Sequence, residues 1–458
     1  MIDMKHRIER DSMGGVKVPQ KAVYGAQTQR AVDNFPISNL KIPKRIIYAL
    51  TELKKSCCIV NNNLGLLDNN KKKHIIIATE KILSGEYDNQ FPIDIFQTGS
   101  GTSSNMNVNE VLSTITSTIS KTKIHPNDDI NKSQSSNDIF PSAIHLSASL
   151  QINNELMPAI DYLIKIIKTK QQKIKHIVKT GRTHLMDAMP ITMGQELSGW
   201  LQQLTDAKKS IQNSLQDLQK LAVGGTAVGT GINAPQDFGK YVTDNLTTRL
   251  KINFKPADNY FTALSSTGAI LQTSGALKGL ATAIIKISND LRWMNCGPLS
   301  GISEITLPAL QPGSSIMPGK INPVLPEAAS MVAVQVSAND YAITSASQSG
   351  NFQLNVMLPL MAYNLTQSIE ILTNICPLLA DKAIADFVVN EEHIKSSLDK
   401  NPILITALNQ KIGYELGAKI AKTAYKLKKP ILDVAYEMTD LSKEELKKYL
   451  NPSNLTNE

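Results

Sequence analysis

The stretch Leu264–Ile285, LSSTGAILQTSGALKGLATAII, sets how the chain is read. It is the one long stretch with almost no charge, yet it holds Lys278, Gln272 and many Ser and Thr. It is therefore too polar for a bilayer span. A helix packed on all sides by other helices accounts for it. Working outward, the pattern extends it to Leu264–Trp293 and repeats it in Pro141–Thr180, Gly194–Ala222, Pro326–Ala346 and Leu354–Ala385, with apolar residues three and four apart. Period-two strand patterning is almost absent. Several of these segments exceed the roughly 11–12 residues of an ordinary globular helix. Five such helices in succession predict a mostly α chain built on a long bundle. Their apolar surface exceeds what five helices hide among themselves, which predicts subunits associating through the bundle.

Composition agrees. The 458 residues are 42% hydrophobic and 19% charged, a globular balance with room for two or three domains. Aromatics are only 5%, so the core rests on Leu, Ile, Val, Ala and Met, a palette suited to helices. The net charge of +8 is spread along the chain in short runs such as Lys71-Lys72-Lys73, with no arginine-rich arm. Nucleic acid is therefore not expected as a partner, while a positive field suits an anionic substrate. Cys57 and Cys58 are adjacent and Cys296 and Cys376 are remote, which suggests neither a zinc site nor a disulfide framework. The opening MIDMKHRIERDSMGG has no apolar signal core and carries Asp3, Glu9 and Asp11, so a cytoplasmic protein without membrane attachment is expected.

Ahead of the bundle, Ile46–Leu66 reads as a helix punctuated by Gly65 and Asn69-Asn70. After it, from about Val389, Lys and Glu dominate, and short helical units such as Leu404–Ile412 and Leu416–Tyr425 are broken by Pro430 and Pro452. The expected organisation is an N-terminal helical domain (1–134), a central five-helix bundle (135–390) and a small C-terminal helical domain (391–458).

Polar loops interrupt this helical sequence, and loops are where binding residues tend to sit. The most informative is Gly313–Pro323, GSSIMPGKINP. It reads as a mobile segment with paired hydroxyls at Ser314 and Ser315, a fixed charge at Lys320 and an amide donor at Asn322. Pro323 and Pro326 then open a helix whose N-terminus favours anions. No G-x-S-x-G elbow is present, which disfavours a serine hydrolase. Thr180–Ala188, TGRTHLMDA, places His184 beside a hydroxyl and Arg182 in a polar junction between helical stretches. Histidine is the default acid or base near neutral pH, and no HExxH spacing accompanies it, so no metal is expected. Two more loops, with Ser100-Gly101-Thr102 and Ser135-Ser136-Asn137, offer hydroxyls, amides and backbone N–H groups suited to a carboxylate. Each loop alone would be an ordinary turn or cap; their combination suggests a site. The stretch Gly224–Gly231, GGTAVGTG, lacks the Lys-Ser/Thr of a P-loop, so nucleotide binding is not expected.

These motifs, in this order, resemble the aspartase/fumarase superfamily, and within it the class II fumarases. The resemblance runs from DSMGGVKVPQKAVYGAQTQRA at Asp11–Ala31 to ALNQKIGYELGAKIAKTAYK at Ala407–Lys426. It includes QTGSGTSSNMN, HPNDDINKSQSSNDIFP, GRTHLMDAMPITMGQE, GGTAVGTGIN and GSSIMPGKINP. It implies a three-domain helical subunit, a homotetramer whose core pools the bundles, and composite active sites drawing on three subunits. Lys132, Ser136, Gly319 and SGNF at Ser349–Phe352 are similar to fumarases; PVLPEA at Pro323–Ala328 and QLNVM at Gln353–Met357 are nearer to aspartases. The implied reaction is reversible, stereospecific hydration of fumarate to (S)-malate without a cofactor, with aspartate ammonia-lyase as the alternative.

By the same resemblance, Ser314 would be the base, while His184 supported by Glu327 would act on the opposite face. Ser100, Gly101, Thr102, Ser135, Ser136, Asn137 and Thr183 would bind the small dicarboxylate, together with Ser315, Lys320, Ile321 and Asn322. An accessory anion site would involve His125, Pro126, Asn127 and Asp128, but Thr122 stands where the family usually has a basic residue, with Lys123 beside it.

Overall fold

A computed structural model of the protein describes residues 5–456; residues 1–4, Asp3 among them, and 457–458 lie outside it. Helix makes up 63% and strand 9%, so the mostly α expectation holds. Among the described residues, strands occur only as two-stranded pairs.

The chain opens with an antiparallel pair, β1 (His6–Asp11) and β2 (Gly14–Pro19). Helices α1 (Ala26–Asn34), α2 (Lys44–Asn63), α3 (Asn69–Leu83) and α4 (Thr102–Ser120) follow. The stop of α2 is legible in the sequence: Gly65 adopts φ +74°, the left-handed geometry that commonly ends helices. Asp68 then caps α3 by accepting the Lys71 N–H.

Helix α5 (Ser136–Gln151) continues through a single π-helical segment, Ile152–Leu156, into α6 (Met157–Ile174). The apolar pattern carries this helix on to Thr180, but the structure differs there. Val178–Thr183 (β3) instead turns back on Met186–Thr192 (β4) as an antiparallel hairpin. Both turn residues, His184 (φ 56°) and Leu185 (φ 59°), have the positive φ that a type I′ turn requires.

The chain continues through α7 (Met193–Leu218), α8 (Phe238–Leu250), the short α9 (Tyr260–Ser265), α10 (Gly268–Met294), α11 (Val324–Ser347) and α12 (Leu358–Leu379). The opening stretch is thus split. Ser266 is extended, and the Thr267 hydroxyl donates to Ser347 Oγ at 2.8 Å, which ties the break to the end of α11. Ahead of α12, Gly350–Asn351 pairs with Leu354–Asn355, so the helix begins at Leu358 rather than Leu354. Among the described residues, no helix is long and apolar enough to cross a membrane.

The described residues form two compact units. The first takes those up to Pro158, Lys208–Ala281 and Val334–Thr373; the second takes Ala159–Ala207, Thr282–Ala333 and those from Asn374 on. In the first, buried polar bonds link neighbouring helices: Ser274 of α10 donates to Asp340 of α11 at 2.7 Å, and Asn339 of α11 to Ser368 of α12 at 3.0 Å. Inside an apolar core such bonds are directional, so they fix helix register where Leu and Ile alone would allow sliding. In the second, fully buried Trp200 of α7 donates to Asp290 of α10 at 2.8 Å. Its C-terminal part has its own apolar cluster, including Leu408, Ile420, Val434 and Leu446, contributed by Pro402–Leu408, Tyr414–Leu427, Ile431–Met438 and Lys443–Tyr449.

Candidate functional site

In the second unit, the segment from Gly313 to Asn322 is a closed loop rather than a loose one. The Gly313 N–H donates to the Lys320 carbonyl at 2.8 Å, and Asn322 Nδ2 donates to the Gly313 carbonyl at 2.7 Å. Gly313 is required by this closure. A Cβ there would lie 2.5 Å from the Lys320 carbonyl oxygen and 2.8 Å from the Asn322 nitrogen, both backbone. Within the loop, Ser314 Oγ accepts the N–H groups of Ile316 (3.3 Å) and Met317 (3.0 Å). Hydrogen bonds donated to an oxygen favour its anionic form, so this hydroxyl sits where an alkoxide would be stabilised.

Lys320, Ile321, Asn322 and Glu327 line a cavity of about 640 Å³ with Asn295 and Arg292. Ser314 lines a smaller one of about 390 Å³ that shares Gly319–Ile321. Glu327 stands in the first turn of α11, where the helix dipole favours a carboxylate. Ser315 is exposed on the loop.

Thr183 and His184 lie at the exposed tip of the β3–β4 hairpin. The base of that hairpin is anchored by charge. Buried Glu304 pairs with Lys179 and with Arg182, each at 2.7 Å, and Lys179 also reaches Glu196 at 3.3 Å. The tip is different: among the described residues the His184 ring has no hydrogen-bond partner, and no bond joins it to Glu327. A single chain therefore brings Ser314, Lys320, Asn322 and Glu327 into one neighbourhood and presents His184 outward.

In the first unit, two helix N-termini meet. Gly101 (φ +74°) starts α4, and a Cβ there would fall 2.3 Å from the Phe140 ring of α5. Asn105 of α4 donates to Ser136 Oγ of α5 at 2.9 Å. Ser100 and Thr102 share a hydroxyl hydrogen bond of 2.8 Å at the start of α4. Ser135 caps α5, its hydroxyl accepting the Asn137 N–H at 3.2 Å. Asn137 Nδ2 donates to the Ala227 carbonyl at 2.8 Å. Ser100, Gly101, Thr102, Ser135, Ser136 and Asn137 are thus gathered on two adjacent helix starts, whose free N–H groups and dipoles favour anions.

One residue the motif reading passed over holds this region together. Asp138 is fully buried and accepts N–H groups from Ser135 (2.9 Å), Gly224 (2.9 Å) and Thr226 (3.0 Å). Burial pushes its carboxyl up to about 6, while those N–H groups and the Lys54 charge pull the other way. The S-x-x-D spacing of a capping box was a signal for half of this role; the bonds to Gly224 and Thr226 had none. The GGTAVGTG loop spends N–H groups on the protein's own carboxylate. Gly224 (φ +104°) is needed because a Cβ would meet the Gly239 backbone at 2.9 Å.

The accessory motif is largely self-satisfied. His125 Nδ1 accepts the N–H groups of Asn127 and Asp128, and Asp129 pairs with Lys71 at 2.7 Å, with Pro126 opening the turn. Among the described residues, no group of three or more His, Cys, Asp or Glu is placed to hold a metal ion.

Comparison with known proteins adds to this geometry. Residues 14–338 match the lyase family and residues 404–457 the fumarase C C-terminal family. The chain is 50% identical over 452 residues to the class II fumarate hydratase of Xylella fastidiosa, covering 99% of this chain and 96% of that one. The chain belongs to the class II fumarate hydratase family. It is also 52% identical over 450 residues to class II fumarate hydratase 2 of Pseudomonas aeruginosa, covering 98% of each. The crystal structure of recombinant class II fumarase from Schistosoma mansoni matches with a TM-score of 0.96 at 39% identity, covering 99% of both chains. Family membership agrees with the lyase reading of GSSIMPGKINP and with the fumarase-like residues Lys132, Ser136 and Gly319.

Two outcomes test the geometry. Gly313→Ala should reduce turnover about a hundred-fold, the scale of a 1 Å misplacement, with little change in melting temperature because the loop is exposed. Unchanged turnover would show that loop closure does not matter. For Asp138 the folded-state value lies above the usual carboxylate range, so its stability contribution is full below about pH 4 and is lost as pH rises through about 6. The stability difference between wild type and Asp138→Asn, from urea unfolding, should therefore fall by on the order of 3 kcal/mol across that window. A difference that is flat or rises with pH contradicts the assignment.

Proposed function

We propose that the chain catalyses the reversible, stereospecific hydration of fumarate to (S)-malate. The observation that carries this reading is the Ser314 hydroxyl held by the Ile316 and Met317 N–H groups in a family of class II fumarate hydratases. In the malate direction a proton must leave the carbon next to a carboxylate. The doubly charged aci-carboxylate that results is very unstable in water, so rate depends on donors placed where its charge develops. Ser314, as an alkoxide, removes that proton. Lys320, Asn322 and loop N–H groups, with Ser315 and Ile321 beside them, hold the carboxylate that takes up charge. On the opposite face His184, supported by Glu327, protonates the departing hydroxyl, which leaves as water. Ser100, Gly101, Thr102, Ser135, Ser136, Asn137 and Thr183 fix the substrate, and loop movement excludes water.

The His184–Glu327 pairing belongs, in this reading, to a homotetramer with composite sites, each subunit organised as segments 1–134, 135–390 and 391–458. Its support is an exposed apolar stripe along α11, where Met331 (67% exposed), Val334 (61%) and Tyr341 (76%) recur near helical spacing. Monomeric proteins rarely leave such a stripe in water. The enzyme is placed in the cytoplasm, and His125, Pro126, Asn127 and Asp128 are kept as an accessory anion site.

The test follows fumarate absorbance with the purified chain and each substrate. (S)-malate should yield fumarate and aspartate should not; the reverse result would move the chain to ammonia elimination. Ser314→Ala and His184→Asn should each lower kcat by at least about a hundred-fold. Near-normal turnover in either would remove that residue's role.

A further inference from the structure

Lys54 lies in the middle of α2 and is 1% exposed. Its ammonium donates to two neutral oxygens, Asn131 Oδ1 at 2.7 Å and Gln134 Oε1 at 2.9 Å, rather than to a carboxylate. Burial pushes the ammonium down to about 7, while the Cys57 and Asp138 groups pull it back up. A buried cation with amide partners is costly, and a Met or Leu would fill the same space without that penalty. The placement of this charge is what gives it a use.

Asn131 Oδ1 also accepts Asn105 Nδ2 at 3.3 Å and Asn109 Nδ2 at 3.2 Å, and Asn105 Nδ2 in turn reaches Ser136 Oγ at 2.9 Å. Lys54 therefore connects through two side chains to the first residue of α5, beside the start of α4. The same α2 face anchors the loop ahead of α5 a second time. Asn61 donates to the Lys132 carbonyl at 3.0 Å and accepts from Ser133 Oγ at 2.8 Å. Asn61 alone can hold the loop, but it brings no charge. At the α5 start the buried Asp138 carboxylate would repel an anion; the Lys54 cation offsets that charge, and low surrounding polarity strengthens the effect.

We propose that Lys54 is a positioning residue for substrate binding: its ammonium shares the acceptor Asn131 Oδ1 with Asn105, which in turn donates to Ser136, and its charge sets how tightly the helix starts of α4 and α5 hold a substrate carboxylate. This rests on the reading that those helix starts bind the dicarboxylate. The test compares wild type with Lys54→Gln, which keeps a donor but removes the charge, and Lys54→Arg, which keeps the charge. The measurements, made at about pH 6 so that the ammonium is charged, are KM and kcat for fumarate and Ki for succinate and for succinamide, its uncharged diamide. In Lys54→Gln, KM and the succinate Ki should rise about tenfold, while kcat and the succinamide Ki change less than about threefold. Lys54→Arg should restore most of the succinate affinity. Equal losses for succinate and succinamide, or no change in either, overturn the inference. If Lys54→Gln does not fold, Lys54→Met, which fills the same space without the charge, takes its place and is judged by the same inhibitor pair. Ser136→Ala separates the two levels. No effect there removes the helix starts as a binding surface, whereas an effect at Ser136 without one at Lys54 removes only the role of the lysine.

Discussion

The Asp138 carboxylate accepts three backbone N–H bonds, from Ser135, Gly224 and Thr226, in a place with no exposure to water. The first caps α5, and the other two hold a glycine-rich loop against the same helix start. A buried carboxylate is tolerated only when its lone pairs are met by donors, and here they are met by backbone. Without it, the cap of α5 and the loop carrying Ala227 would lose their common anchor, and with them the settings of Ser135, Ser136 and Asn137. The hydroxyls proposed to bind substrate are thus placed by a buried group whose own oxygens are turned to backbone N–H groups.

The same physics recurs in the loop that carries Ser314. Ser314 Oγ faces two N–H groups of its own loop, and the loop is closed by Gly313, Lys320 and Asn322. In both places fixed backbone dipoles are aimed at oxygen. Such dipoles need no reorganisation when charge develops, which is why they suit the doubly charged aci-carboxylate group of the proposed reaction. The hairpin bearing His184 shows the complementary arrangement, with its base locked by Glu304, Lys179 and Arg182 and its tip left open.

Much of this was legible in the residues. Long helices followed from three- and four-residue spacing, and the end of α2 from Gly65. The candidate loops stood out because Ser, Thr, Asn and Gly cluster where helical sequence is interrupted. The β3–β4 hairpin was not legible. Its strands are short and its turn is His184-Leu185, which carries none of the Asn-Gly or Asp-Gly signal of a type I′ turn. The break at Ser266-Thr267 was hidden because the apolar pattern continues across it, while a tertiary bond to Ser347 fixes it. Asp138 does not stand out in the sequence, since its partners at Gly224 and Thr226 are distant along the chain. Local spacing reveals elements; pairings made by tertiary packing leave little local trace.

In the proposed reaction water adds across fumarate with a base on one face and an acid on the other. Hydration run in heavy water and read by proton NMR of the malate tests it most directly. The malate formed should be (S)-malate carrying one deuterium at C3, as a single diastereomer with deuterium and hydroxyl added from opposite faces. A mixture of C3 diastereomers, addition from one face, or no malate at all would contradict it.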